Sequence, residues 1–367
     1  MTSSGKMAKK RVAVGMSGGV DSSVAALLLL EQGYDVFGVT LRVLPPLSNA
    51  YDPEKDESVL RARAVARRLG IEHHVAVCDE AFTERVLKRC HDDFARARTP
   101  NPCCYCNRFV KFGWMMDFAL SHGADFLSTG HYVEVKDVGG VRRLFKGKDT
   151  AKDQSYFLFG VPDAALARVM TPLGGMEKPE VRALASKHGF ENAGASDSQD
   201  ICFDIYGNDY TRFLEERFGA MTRPGNFVTE GGKILRCHEG FHRYTVGQRK
   251  GLGVALGVPA FIRSVDPATG DIVVTADKSA VAATEVRIEN CVWHGVNPAT
   301  GAPYAAGDTF ECEGMVRYRQ RPTRCMIKII EGGNALASFE QPQFAVTPGQ
   351  CAVFYDGDMV LGGGWIV

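Results

Sequence analysis

The sequence predicts an α/β protein in three parts: a Rossmann-like parallel-sheet domain over residues 1–208, a small central α+β domain rich in strand over 209–280, and a C-terminal β-barrel domain over 281–367. Three observations carry this. Short apolar runs alternate with stretches of helical period from Arg11 to about Phe190, the pattern of a parallel sheet with crossover helices. After Asp209 the texture changes to many glycines, β-branched runs such as Ile272-Val-Val-Thr, and the turn Asp266-Pro-Ala-Thr-Gly. Finally, 367 residues exceed the roughly 250–300 at which a single core stops growing.

In chain order, the strands are expected at Val12–Met16, Val36–Leu41, His74–Cys78 and Asp125–Ser128. Apolar residues at three- and four-residue spacing predict helices over Ser22–Gln32, Asp56–Leu69, Glu80–Arg98 and Asn107–Ser121. Tyr210–Arg217 reads as one more helix at the head of the central domain, and Val286 to Val367 as regularly spaced short strands.

Composition narrows the function classes. The chain is 45% hydrophobic and 23% charged, too apolar for disorder. Lys plus Arg (43) balance Asp plus Glu (43), so any nucleic acid must be met by a local patch rather than a global field. The longest apolar run, Val24 to Leu30, is far short of the ~20 residues needed to span a bilayer. Nothing before Val12 resembles a secretory signal, so a cytoplasmic location and no membrane partner are expected, and the eleven cysteines should be mostly buried thiols.

Gly15-Met16-Ser17-Gly18-Gly19-Val20-Asp21-Ser22 falls between the first strand and the first helix, where backbone N–H groups and a helix N-terminus converge on an anion. The loop lacks the Gly-Lys-Ser/Thr of a P-loop and the Gly-x-Gly-x-x-Gly of a dinucleotide site. Asp21 beside phosphates implies a divalent cation or α-phosphate chemistry between them. Ser-Gly-Gly-x-Asp-Ser after a first strand resembles the loop of the PP-loop ATP pyrophosphatases, which implies ATP cleaved between its α and β phosphates.

Two cysteines stand in settings suited to chemistry. In Thr99-Pro-Asn-Pro-Cys103-Cys104-Tyr-Cys106 the prolines predict an extended loop and place Cys106 at the start of a helix, where backbone dipoles, Arg108 and Lys111 favour the thiolate. Cys202, in Asp197-Ser-Gln-Asp-Ile-Cys-Phe203, lies in a polar stretch with no strong period. Cys103 and Cys106 in Cys-x-x-Cys spacing are open to a second reading as half of a zinc site. Arg317-Tyr318-Arg319-Gln-Arg321-Pro-Thr-Arg324 interleaves cations with an aromatic, suited to RNA phosphates and an unstacked base, or to a charge-protected edge strand.

Seven ordered segments resemble the tRNA-specific 2-thiouridylases: Gly-Met-Ser-Gly-Gly-Val-Asp-Ser at 15–22, Thr-Pro-Asn-Pro with Cys-Asn at 99–107, Thr-Gly-His-Tyr at 129–132, Lys-Asp-Gln-Ser-Tyr-Phe-Leu at 152–158, Asp-Ser-Gln-Asp-Ile-Cys-Phe at 197–203, Thr-Val-Gly-Gln-Arg-Lys-Gly-Leu-Gly at 245–253 and Val-Arg-Tyr-Arg-Gln at 316–320. The resemblance implies ATP, with Mg²⁺ and no metal fixed by the protein, on Gly15 to Ser22, and Leu41 and Gly130 closing the adenosine pocket. It implies that Cys202 carries a persulfide sulfur from a donor protein, that Cys106 is the nucleophile that completes its release, and that the two form a transient disulfide.

Asn101, Pro102 and Cys103 would lie against the target base, while His131, Lys152, Asp153 and Gln154 would contact tRNA. Arg317, Tyr318 and Gln350 would reach the anticodon loop. Many family members have Asp where this chain has Cys103, and often Met where it has Leu41. The chemistry leaves three routes: a Cys106–Cys202 relay, direct attack by the terminal persulfide sulfur, or an iron–sulfur cluster on Cys103, Cys106 and Cys202. A PP-loop ligase that needs no cysteine, or an RNA-binding scaffold with a degenerate nucleotide site, are the readings outside thiolation.

Overall fold

The computed structural model describes residues 9–44, 56–194, 202, 203, 206 and 209–367, which fall into two compact units. The first is drawn from Met1–Thr83 and Cys106–Gln199, the second from Glu84–Tyr105 and Asp200–Val367.

The first unit is built on five parallel strands in the order β3-β2-β1-β4-β7: β1 (Arg11–Gly15), β2 (Asp35–Arg42), β3 (Glu72–Val77), β4 (Phe126–Ser128) and β7 (Val169–Met170). Val12, Ala13 and Val14 of β1 are fully buried, as a central strand covered on both faces must be. Helix α1 (Val20–Glu31) buries most of its circumference, with Val24, Ala25, Ala26 and Leu29 inaccessible. Helix α2 (Glu57–Leu69) is amphipathic: Asp56 caps its N-terminus through the Ser58 amide at 2.8 Å, Gly70 ends it in the left-handed region, and Val59, Ala62, Val65 and Ala66 face inward. Between β4 and β7 stands an antiparallel hairpin, β5 (Val133–Val138) and β6 (Val141–Lys146), that the sequence reading did not resolve. Helix α3 (Met115–Ser121) and helix α4 (Lys178–Lys187) complete the unit's principal helices.

Two helical expectations are corrected. The expected single helix over 80–98 is broken into Asp79–Phe82, a π-helical turn at Thr83–Leu87, and Lys88–Ala95. The expected extended loop before Cys106 is instead helical from Pro102: Pro102–Tyr105 leads into a π-helical run at Cys106–Trp114 and then α3. Pro suits the first helical position because its missing N–H is not needed there, and the Asn101 side chain accepts from the Cys104 amide at 3.3 Å as a cap. Cys106 therefore lies one turn inside the helix, not at its dipolar end.

The second unit carries helix α5 (Tyr210–Phe218) and a four-stranded sheet in the order β10-β11-β8-β9: β8 (Gly225–Thr229), β9 (Ile234–His238), β10 (Phe261–Val265) and β11 (Ile272–Thr275). Phe227, Phe241, Leu252, Ile262 and Ile272 fill its core. Six antiparallel strands then close a barrel: β12 (Ala282–Trp293), β13 (Thr309–Met315), β14 (Thr323–Ile330), β15 (Asn334–Phe344), β16 (Cys351–Asp356) and β17 (Met359–Ile366), with β12 paired to both β15 and β17. Strand β14 alternates strictly, with Cys325, Ile327 and Ile329 inward. Trp365 of β17 stacks on Tyr105 at 5.3 Å, so segment 84–105 packs with this barrel. The fold is thus the predicted α/β architecture with a parallel-sheet domain, a small β-rich middle and a C-terminal barrel. The expected 208/209 boundary falls where residues 207 and 208 lie outside the described residues.

Candidate active site

The strand order reverses between β1 and β4, and in an open α/β sheet the crevice beyond the carboxyl ends of such strands is where ligands bind. The loops leaving those two strands are Met16–Gly19 and Thr129–Tyr132. The first is tied down from several sides. Met16 is buried, its N–H donates to Val39 O (2.8 Å), and its carbonyl accepts from the Thr40 hydroxyl (2.7 Å). Ser22 Oγ accepts from the Ser17 amide (3.3 Å), and buried Asn192 donates to Gly18 O (2.8 Å). Met16 and Val20 turn their side chains into the core, so what the loop presents is backbone together with Ser17 and Asp21. Gly19 precedes α1 without a side-chain cap, which leaves amides at that N-terminus for an anion. Leu41, half-buried, is the penultimate residue of the neighbouring strand β2.

Asp21 is not the bare carboxylate that the motif suggests. Lys178 Nζ lies 2.7 Å from each of its oxygens, and the Tyr132 hydroxyl donates to Oδ1 at 2.7 Å. The lysine is buried; the Asp21 side chain keeps 31% of its surface exposed. Gln154 fixes Tyr132 in turn, accepting from its amide at 3.0 Å. Gly130 backs directly onto the start of α1: a Cβ there would stand 2.7 Å from the Ser22 nitrogen and 2.9 Å from Asp21, so only glycine permits this approach.

The Cys106 run is anchored in the same unit. Asn107 Nδ2 donates to Phe157 O (3.0 Å), and Lys111 Nζ donates to His131 Nε2 (3.4 Å), whose Nδ1 pairs with the Thr129 hydroxyl (2.6 Å). Burial and then Lys111 hold the His131 imidazole well below its usual pKa, so it is neutral, and acceptance at Nε2 places its proton on Nδ1. Cys106 is buried, and its neighbour Cys78 is a packing thiol, pushed up to about 12 by burial first and then by Cys106. His131 therefore serves the interior of this unit, as does Asp153, whose carboxylate accepts from the Gly147 amide (2.9 Å) and the Ser155 hydroxyl (2.7 Å). Lys152 is half-buried beside it.

In the second unit Cys103 and Cys202 are exposed thiols. Phe203, next to Cys202, is buried against Tyr210 and Phe213, which pins the chain beside the thiol. The rest of that motif, residues 197–201, lies outside the described residues. Asn101 and Pro102 are buried, and Gln350 Nε2 donates to the carbonyls of Thr99 (3.0 Å) and Pro100 (3.3 Å), bracing this loop rather than facing outward. Arg317, Arg319, Arg321 and Arg324 are exposed on or beside the loop from β13 to β14, and Arg319 covers the Tyr318 ring at 5.4 Å. The edge-strand reading of that segment gives way to a loop. Among the described residues no three His, Cys, Asp or Glu side chains converge as a metal site.

Sequence reasoning singled out Asp21 but not Lys178, Tyr132 as its partner, or Asn192. Lys178 opens a Lys-Pro-Glu helix start, a signal of a helix and of nothing further.

Family comparison covers the chain almost end to end. The family described as tRNA methyl transferase HUP domain matches residues 10–205, the tRNA methyl transferase PRC-barrel domain 211–276, and the Aminomethyltransferase beta-barrel domain 283–366. The chain is 42% identical to the tRNA-specific 2-thiouridylase MnmA of Geobacter metallireducens, covering 98% of this chain and 97% of that protein. It is 41% identical to the protein of the same name from Carboxydothermus hydrogenoformans, covering 98% of each, and 42% identical to that from Heliobacterium modesticaldum, covering 98% and 93%. With identity at this level over the full length, the chain belongs to the tRNA-specific 2-thiouridylase family of sulfurtransferases.

Proposed function

We propose that this chain uses ATP to replace the C2 oxygen of the wobble uridine of tRNA by sulfur from a protein persulfide, yielding 2-thiouridine, AMP and pyrophosphate, in the cytoplasm. The observation that carries the reading is the Ser-Gly-Gly-Val-Asp-Ser loop at the strand-order reversal, with α1 uncapped beneath it. An amide oxygen of uridine is a poor leaving group, so it must first be activated. Attack of that oxygen on the α-phosphorus forms one P–O bond and breaks the bond to the β-phosphate, releasing pyrophosphate. The loop amides stabilise the charge that develops on the phosphates. Asp21, whose side chain stays 31% exposed beyond its bonds to Lys178 and Tyr132, is the residue that would hold a Mg²⁺ accompanying ATP, and the ion would supply charge neutralisation on the phosphates.

Sulfur arrives as a persulfide on Cys202 from a donor protein. The Cys106 thiolate attacks the inner sulfur and forms the Cys106–Cys202 disulfide. The released hydrosulfide adds to C2 with loss of a proton, AMP leaves, and a dithiol reductant returns both thiols. Exposure of Cys202 suits loading by another protein; Cys106 is buried, so the relay requires that it be uncovered when it attacks, with Arg108 and Lys111 nearby in sequence to favour its thiolate. The exposed arginines at 317–324 suit the anticodon stem-loop.

The test is incubation with ATP, a sulfide source and unmodified tRNA, followed by mass spectrometry of the digested nucleosides. ATP-dependent 2-thiouridine is expected; none, with tRNA bound and ATP intact, overturns the reading. In a persulfide-labelled version Cys202→Ser should take up no labile sulfur. Cys106→Ser should take it up and make no thiouridine. Label held by Cys202→Ser would sink the division of labour, and loss of activity together with bound iron in Cys103→Ser would replace it with the cluster route.

A further inference from the structure

Lys178 is the first residue of α4, where an ammonium opposes the helix dipole. That position has its own provision of anions: Asp149 accepts from the Lys178 amide at 3.0 Å, and Glu177 and Glu180 form a reciprocal capping box. None of this calls for a lysine side chain. The side chain instead runs inward, 8% exposed, passes 5.6 Å from the Tyr132 ring centroid, and ends 2.7 Å from both oxygens of Asp21, 157 residues earlier in the chain. Lys178 is buried at this contact while the Asp21 side chain keeps 31% of its surface exposed.

We propose that Lys178 is a positioning residue for the nucleotide loop: it orients Asp21, together with Tyr132, and offsets its charge so that the loop can receive a nucleoside triphosphate. An ionised carboxylate in a loop that binds phosphates repels them. A fixed ammonium turns that repulsion into a neutral, oriented pair while leaving the outer carboxylate edge for a cation. This rests on the reading that ATP binds this loop and assigns that site a fixed counter-charge.

The experiment is equilibrium binding of labelled ATP to the full-length chain without tRNA or sulfur donor, in EDTA and again in Mg²⁺. In EDTA, Lys178→Met should weaken ATP by about 10- to 100-fold, since one unit charge at contact distance is left uncompensated. Lys178→Arg should recover most of the loss. The double variant Asp21→Asn with Lys178→Met should bind ATP better than Lys178→Met alone, because the repelling charge has gone, while pyrophosphate release stays lost. A lysine that merely supported the fold would give no such rescue. Binding by Lys178→Met within twofold of wild type, or a double variant no better than the single, overturns the proposal. So does wild-type binding that appears only with Mg²⁺, since the metal and not the lysine would then be the counter-charge. If Lys178→Met melts early by circular dichroism, Lys178→Arg and the double variant, which leaves no charge without its partner, decide the question on the same criteria. Wild-type protein that binds no ATP in either buffer overturns instead the underlying reading of the loop.

Discussion

Asp21 and Asp93 are both held by a tyrosine, and the two sites turn out to be opposites. In the first unit Tyr132 donates to Asp21 at 2.7 Å and Lys178 grips both oxygens, while nearly a third of the side chain reaches solvent. In the second unit Tyr105 donates to Asp93 at 2.8 Å, the residue is 8% exposed, and Arg98 nearby is bonded to Glu289 instead. Burial raises the Asp93 pKa, and the Tyr105 bond offsets that only in part. At Asp93 the hydroxyl, with Arg98 and Arg96 acting through space and Glu289 opposing them, does not overcome burial; at Asp21 the hydroxyl is joined by an ammonium in direct contact. The first arrangement suits a carboxylate held in place beside phosphates, the second a group that locks packing. Tyr105 continues from Asp93 into the stack with Trp365, so its carboxylate anchors segment 84–105.

The largest expected effect is on the first site. Asp21→Asn should lower pyrophosphate release by about 10²–10³-fold, the scale of losing one preorganised electrostatic contact to a reacting phosphate. The motif alone suggests that the fold would be untouched. The Lys178 pair changes that expectation: an amide facing a buried ammonium should also lower stability by about 1–3 kcal/mol, below the range for fully buried pairs because Asp21 is partly solvated. Urea unfolding with pyrophosphate assay on one preparation checks both halves, and normal release would break the assignment.

The difference between the sites also explains what was legible beforehand. Strands β1, β2 and β4 are legible within two residues because buried parallel strands are short apolar runs; β3, at the sheet edge, is legible to the same margin although only its Val-Ala-Val end is apolar. Helix α2 was readable because its cap and its period are local. The hairpin β5–β6 is hard to read from sequence: Gly139-Gly140, both at positive φ, is an acceptable two-residue hairpin turn, but only the first of the flanking runs alternates, and Val141-Arg-Arg-Leu-Phe-Lys does not. The helix start at Pro102 is ambiguous in sequence because proline signals a break as well as a first helical position, and Asn-Pro also spells cap and first position. Asp21 was legible as a motif residue; Lys178 was not, since its meaning lies in a contact made only by the fold.

A smaller effect belongs to the second unit's surface. Removing the barrel after about residue 280 looks, from sequence, like a clean way to delete RNA contacts. The Tyr105–Trp365 stack and the Gln350 bonds to Thr99 and Pro100 show that such a truncation would also strip residues 99–105 of contacts they make with the barrel, leaving the segment held by Phe94 and His91 against Tyr210 and Phe218. Point changes are the sharper instrument. Arg317→Ala with Arg319→Ala should weaken tRNA several-fold and flatten the salt dependence of binding by about one to two units of slope, with ATP binding unchanged. An unaltered slope would take this loop out of the interface.

The smallest effect has the opposite sign from the first and tests the comparison most directly. Because burial lifts the folded pKa of Asp93 above the exposed value of 3.8, the folded state binds this proton more tightly than the unfolded state. At neutral pH the ionised group therefore subtracts from stability. As pH falls through the raised folded pKa the proton returns and the deficit shrinks, and below the unfolded value it is gone. Asp93→Asn keeps an oxygen for the Tyr105 hydroxyl and removes the charge, so it should stabilise the protein by about 1 kcal/mol or less at pH 7. The gain over wild type should narrow as pH drops and vanish in acid, where both side chains are neutral. Denaturant unfolding of the two proteins in parallel from pH 7 to pH 4 reads this difference directly, and other titrating groups cancel in the comparison. If Asp93→Asn is instead destabilising at pH 7 by as much as Asp21→Asn, then Asp93 too has a working counter-charge, and the contrast between the two tyrosine-held carboxylates fails.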